Sequence, residues 1–337
     1  MRVIFTRNVH EALPKGLALL ASEGVIQESR NGAVVRSPLP ITTVYSKPSE
    51  RVELHHQRNA NPWFHLLESV WMLGGRNDVE MVSEFNSQMV NYSDDGETFN
   101  AAYGHRWRKH FGQDQLTTVV KALRKDKQCR RQVIAMWDGR RDLGLQSKDL
   151  PCNTQVFVQI NVDGALDIML SNRSNDMVWG AYGSNAVHFS ILHEYLAAAL
   201  GVPMGIMYQV TFNMHLYMLP HASLLELPLQ KQTPSPYAEG EAYQPDAIMS
   251  LKQNRWDREL QLLLTAGPTC PELRDPWLEG TIKTMWLAWR EFKIKTPDRY
   301  ARAKAALTLV SSLDWRQAGW HWLERHEAAA LKKNGQA

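Results

Sequence analysis

At 337 residues, with 44% hydrophobic and 22% charged side chains, the chain carries enough apolar surface for one large core or two smaller ones. Its formal charge of +3 is far from the dense positive surface of a duplex-DNA reader, so a small anionic ligand is expected and no nucleic acid. Three cysteines, Cys129, Cys152 and Cys270, with no C-x-x-C spacing, argue against a disulfide scaffold and a cysteine-rich zinc site.

The first residues, MRVIFTRNVHEALPKGLALL, hold no uninterrupted apolar core, and no later run approaches a bilayer span, so a cytoplasmic protein away from membranes is expected. Asn8 to Gly24 reads as an amphipathic helix with Leu13, Leu17 and Leu20 on one face. Prolines 38, 40 and 48 suggest loops bracketing an edge strand within 30–48. Trp63 to Leu73 follows Pro62 as a helix and carries Glu68 among apolar neighbours, an acid that needs a reason. Strands follow over 133–137, 155–160 and 165–171, the last two joined by an Asp163-Gly164 turn. A helix capped by Asn185 and stopped by Gly201 precedes a strand over 205–212. Beyond about residue 225, Pro228, Pro234, Pro236, Pro245, Pro268 and Pro271 space out loops and short helices, and from Pro297 the pattern is helical, ending in a polar tail. The fold class is α+β, with helices packed on a mixed, largely antiparallel sheet, divided as 1–295 and a helical extension over 296–337.

Cys152 follows Pro151 at the mouth of a strand. A lone cysteine is usually a small buried hydrophobe, but nearby arginines lower a thiol pKa and favour the thiolate. Arg140-Arg141 read as solvated charge, whereas Arg173-Ser174, directly after a strand, offer a guanidinium fork and a hydroxyl suited to phosphate. Zinc nucleoside deaminases share a Pro-Cys pair, but Gln155 stands where their second cysteine falls.

In order, RRQVIAMWD, LPCNTQ, NRSNDMVWGAYGSNAVHFS and NMHLY resemble the thymidylate synthase superfamily, which includes the deoxypyrimidine monophosphate hydroxymethylases. The resemblance is continuous over 130–217 and weaker over 58–112. It implies a homodimer through the sheet, a pyrimidine nucleoside monophosphate substrate and 5,10-methylenetetrahydrofolate as co-substrate, with no metal. Cys152 is implied to attack C6 of the pyrimidine. Arg173 and Ser174 then hold phosphate, Arg130 and Arg131 reach into the partner's site, and Arg30 or Arg36 adds a further phosphate contact. Asn185 is implied to read the uracil edge, His215 and Tyr217 the sugar 3′-hydroxyl. Glu68 organises water for proton transfer and would have a raised pKa, Tyr103 lies near proton abstraction, and Asp176 contacts the folate pterin, with Met89 and Gly180 on the folate side.

Departures from the family pattern bear on the product. Asn153 replaces a histidine beside the nucleophile, Met89 and Tyr92 occupy the region of two shielding tryptophans, Asn213 replaces an aspartate, and a closing apolar tail is missing. Hydride transfer from folate needs water excluded, so these changes favour water and place dUMP hydroxymethylation ahead of thymidylate synthesis. A dCMP or CMP hydroxymethylase is disfavoured by Asn185. A catalytically inactive nucleotide- or RNA-binding relative is the alternative from another class, opposed by the intact Cys152, Arg173, Asp176 and Asn185.

Overall fold

The computed structural model describes residues 1–226, 235, 237 and 243–333. The loops expected around Pro228, Pro234 and Pro236, and the last four residues of the polar tail, lie outside them.

Strand β1 (Arg2–Thr6) leads into helix α1 (Val9–Glu23), where the Asn8 side chain accepts from the Glu11 amide and closes the first turn. Next come β2 (Val25–Gln27), β3 (Val34–Arg36) and β4 (Ile41–Tyr45). The single edge strand expected in 30–48 is therefore two strands, and both are internal: β4 lies inside a six-stranded sheet and β3 inside a four-stranded one. Pro38 and Pro40 fall in the connection between them, so neither ladder loses an N–H and no edge position is required.

Helices α2 (Pro62–Leu73), α3 (Val79–Phe85) and α4 (Gln115–Lys125) follow, then β5 (Val133–Ala135), β6 (Asn153–Ile160), β7 (Leu166–Asn172) and the short β8 (Asn175–Asp176). The predicted β6–β7 hairpin forms, with Gly164 at φ +81°, a left-handed turn position. Helix α5 (Asn185–Leu200) ends as expected at Gly201, also left-handed, but Asn185 is not its cap. A π-helical turn over Met177–Ser184 runs straight into α5, leaving Ser184 helical and no extended residue to act as cap. That frees the Asn185 side chain for another use.

β9 (Met204–Thr211) and β10 (Met214–Tyr217) complete the sheets, in the orders β1-β4-β9-β7-β6-β5 and β2-β3-β10-β8. In the larger sheet β1–β4 and β7–β9 are parallel and the other three pairs antiparallel. One face carries the core through Ile41, Val156, Ile168 and Leu170. On the opposite face the register aligns Val133, Phe157, Met169, Tyr208, Val44 and Phe5 in a single apolar row across all six strands.

The C-terminal part is helical: α6 (Gln253–Ala266), α7 (Thr284–Lys293), α8 (Arg299–Leu307) and α9 (Leu313–Lys333). They wrap α2, whose Trp63 donates to the Met285 carbonyl at 2.8 Å and packs edge-on against Trp322 at 5.2 Å. Among the described residues no helix is long and apolar enough to cross a membrane.

The turn Tyr103–His105 rests on the end of α2 so closely that a Cβ at Gly104 would lie 1.8 Å from the Met72 carbonyl oxygen. Gly104→Ala should therefore displace this turn or α2 and lower stability by roughly 1–3 kcal/mol. Urea unfolding checks it, and an unchanged midpoint would mean that the two backbones part without cost.

Candidate active site

A cleft of about 1210 Å³ opens between α2, the N-terminal end of α5, the loop over 147–152 and the small sheet. Cys152 stands in it at the mouth of β6, and its backbone is held from two sides. The Tyr103 hydroxyl accepts from the Cys152 and Asn153 amides at 3.2 and 3.3 Å, and the Arg173 amide donates to the Cys152 carbonyl at 3.0 Å. Arg173 Nη2 lies 3.8 Å from Cys152 Sγ, while the same guanidinium donates to the carbonyls of Pro151 (2.8 Å) and Leu150 (3.2 Å).

Burial dominates the thiol and pushes its pKa up; Arg173 and, more weakly, Arg30 oppose this, and Asp149 reinforces it. The expectation that arginines populate the thiolate is therefore corrected, because desolvation outweighs them. Asp149 is itself pushed up to about 6 by burial, although the Ala101 amide donates to it at 2.7 Å.

Asn185 faces Asn175, donating from Nδ2 to Oδ1 at 3.1 Å. Gly180 permits this: a Cβ there would lie 2.1 Å from Asn175 Oδ1. Across the cleft, Glu68 Oε2 lies 3.1 Å from His188 Nε2. Asp176 pairs in register with His215 on β10 and is occupied as a helix cap, accepting from the Trp179 amide and, at 3.4 Å, from the Tyr217 amide. His215 stands edge-on to Tyr217, whose hydroxyl accepts from Asn31 at 3.5 Å. Ser174, Arg30, Met89 and Tyr92 also line the cleft, and Trp179, 43% exposed, tilts against Phe64.

The family model for thymidylate synthase matches residues 16–256. The chain is 49% identical to the deoxyuridylate hydroxymethyltransferase of Pseudomonas phage M6 across 100% of this chain and 98% of that protein. The chain belongs to the thymidylate synthase family. It is also similar to the proteins of the same name from Bacillus phage SP01, 33% identical over 64% of this chain and 58% of the relative, and from Delftia phage PhiW-14, 28% identical over 60% and 58%.

Of the positions matched to thymidylate synthases from sequence, Cys152, Glu68, Tyr103, Arg173, Ser174, Asp176, Gly180, Asn185, His215, Tyr217, Met89 and Arg30 all line this one cleft. Arg36 does not line it, which separates the two candidates for a further phosphate contact. Nor does Asn153, expected beside the nucleophile: it is fully buried, because the register shifts between Asn153 and Gln155 and pairs it with Asn172 on the core face of the sheet. Arg130 and Arg131 are exposed ahead of β5, outside the cleft. The lining residues that escaped the sequence reading include Arg58, Asp149, Trp179 and His188. Spacing offered a signal for two, since Trp179 follows Asp176 by three residues and His188 follows Asn185 by three.

Alkylation of Cys152 by iodoacetamide, followed by peptide mass against pH, should inflect above the ordinary thiol value of 9.0. Arg173→Leu should move that inflection higher and Asp149→Asn lower. An inflection below the ordinary value in the wild type would mean that the arginines win.

Proposed function

We propose that the chain transfers a one-carbon unit to C5 of dUMP through a Cys152 adduct and releases 5-hydroxymethyl-dUMP. The observation that carries this is the full-length similarity to the phage M6 deoxyuridylate hydroxymethyltransferase, with the matched residues gathered in one cleft. The phage relatives support a phage-encoded enzyme acting in the host cytoplasm. Residues 1–295 are the catalytic unit and 296–337 an extension, whose described part, 296–333, packs behind α2.

Cys152 Sγ adds to C6, the β-carbon of the conjugated C4 carbonyl, which makes C5 nucleophilic. 5,10-Methylenetetrahydrofolate supplies the carbon at the formaldehyde level. The cleft suits such a donor, with exposed Trp179 and the Tyr92 and Phe99 rings as apolar walls and the Asp176 carboxylate at one end. Arg173, Ser174 and Arg30 take the phosphate, His215 and Tyr217 the sugar hydroxyl, and Glu68 manages protons around the base. Asn185 reads the base: with one N–H spent on Asn175, its carbonyl can accept from uracil N3–H and its second N–H can donate to O4. Cytosine reverses both groups, and each mismatch in a dry site costs roughly 1–3 kcal/mol.

The test is mass spectrometry of the nucleotide after incubation with methylenetetrahydrofolate and dUMP or dCMP. Hydroxymethyl-dUMP is expected from the wild type, none from Cys152→Ser, and a shift of kcat/KM toward dCMP in Asn185→Asp. A methyl product would replace this reading with thymidylate synthesis, and a preference for dCMP in the wild type would remove Asn185 as the base reader.

The apolar row on the open face of the large sheet supports a homodimer formed sheet to sheet, and Arg130 and Arg131 at its β5 edge are then free to complete the partner's phosphate site. Mixing an Arg131→Ala subunit with a Cys152→Ser subunit should restore one working site per heterodimer. Full activity in a monomer, or no recovery on mixing, would contradict the shared site.

A further inference from the structure

Helix α5 enters the core with apolar neighbours on both sides of His188, namely Val187 and Phe189. An imidazole among them, 4% exposed, needs a partner, and its Nε2 has no hydrogen bond. Glu68 is the one acid on α2, and its carboxylate reaches that nitrogen at 3.1 Å, near enough for an ion pair but off the hydrogen-bond axis. Each residue thus explains the other. His188 also stands one helical turn after Asn185, so the two side chains share a face, and both line the cleft with Glu68 and Cys152.

We propose that His188 is a positioning residue for the hydration step: it fixes the Glu68 carboxylate toward the C5 methylene of the nucleotide and takes on the proton that Glu68 removes from the attacking water. This rests on the hydroxymethylation proposed above. Glu68 touches the water, and His188 stands behind Glu68, because its Nε2 is closed to solvent. The water oxygen bonds to the exocyclic methylene carbon while the C5=CH2 pair moves to make the C4–O4 enolate. The water proton passes to Glu68 and on to His188. Collapse of the enolate re-forms C5=C6 and expels Cys152 as thiolate. No oxidant or reductant is consumed, since the carbon stays at the formaldehyde level throughout. Neighbouring His65 does not compete for the proton, because burial and then Arg58 and His188 hold its pKa well below the usual imidazole range.

The experiment compares hydroxymethyl-dUMP formed with tritium released from [5-³H]dUMP, in buffer containing 2-mercaptoethanol, for the wild type, His188→Ala and His188→Gln. Tritium release reports carbon–carbon bond formation, and the ratio reports what happens to the methylene afterwards. The wild type should give one hydroxymethyl per tritium. Both variants should lose that ratio by about tenfold or more, a general acid–base effect, with the thioether of the trapped methylene making up the difference. Imidazole added to His188→Ala should restore part of the ratio, which a purely structural residue would not show. A ratio that stays at the wild-type value in both variants, whether or not total turnover falls, overturns the assignment of His188 and leaves hydroxymethylation standing. Thymidylate from the wild type overturns the proposed function itself, and the inference with it.

Discussion

The placement of the nucleophile traces back to one buried ion pair. The Arg106 guanidinium, without solvent contact, binds Asp142 through two hydrogen bonds of 2.6 and 2.8 Å and spends its remaining donors on the carbonyls of Met136 and Asn100. A buried charge costs several kcal/mol unless its partners satisfy it fully, and here they do. The pair therefore locks three stretches of chain together: the segment at 100–106, the end of β5, and the loop after it. Gln115 on α4 extends the lock by donating to the carbonyls of both Arg106 and Ala135. Tyr103 lies within the first stretch, and its hydroxyl is what holds the Cys152 amide. Substituting far from the cleft can thus move the thiol.

Many polar groups of the cleft already have structural partners. Asp176 caps the π-helical turn, Arg173 ties the Leu150-Pro151-Cys152 corner, and Asn175 fixes the Asn185 amide. Such partners cost the site some free donors, yet they set rotamers before a ligand arrives, which is where preorganised electrostatics gains over mobile groups. The raised thiol pKa of Cys152 is the other side of the same burial: a desolvated sulfur is poorly ionised alone, and the same low polarity strengthens every charge brought near it.

Behind the cleft, the C-terminal helices reach the chemistry chiefly by packing on α2, with further contacts from Asp257 and Gln253 to Tyr195 on α5 and from Arg325 to Asn59 at the cleft. Trp63 on the buried side of α2 touches Trp289 and Trp322, and Trp322 stacks on His326 at 3.5 Å. These rings fix the rotation of α2 and hence the direction in which Glu68 points. A helix so enclosed reads in sequence as nearly uniform apolar residues, and the acid stands out there because every other side has a neighbour to fill.

The sequence by itself determined the elements whose signals are local: the amphipathic α1, the Pro-started α2, the hairpin at Asp163-Gly164 and the glycine stop of α5, each set by periodicity or by a backbone position only certain residues accept. It also determined most of the cleft, since ordered motifs around Cys152, Arg173, Asn185 and His215 carry a family's chemistry residue by residue. Tertiary structure decided what depends on which way a side chain turns. Asn153 is turned into the core by the register shift between it and Gln155, Asn185 is released from capping by the turn before it, and β3 and β4 become interior strands through partners far along the chain, β10 for the one and β9 for the other. Glu68 and His188 show the same limit, because 120 positions of chain separate two residues that meet at 3.1 Å. Neither position marks the other in sequence, and only the packing of α2 on α5 brings the carboxylate and the imidazole together.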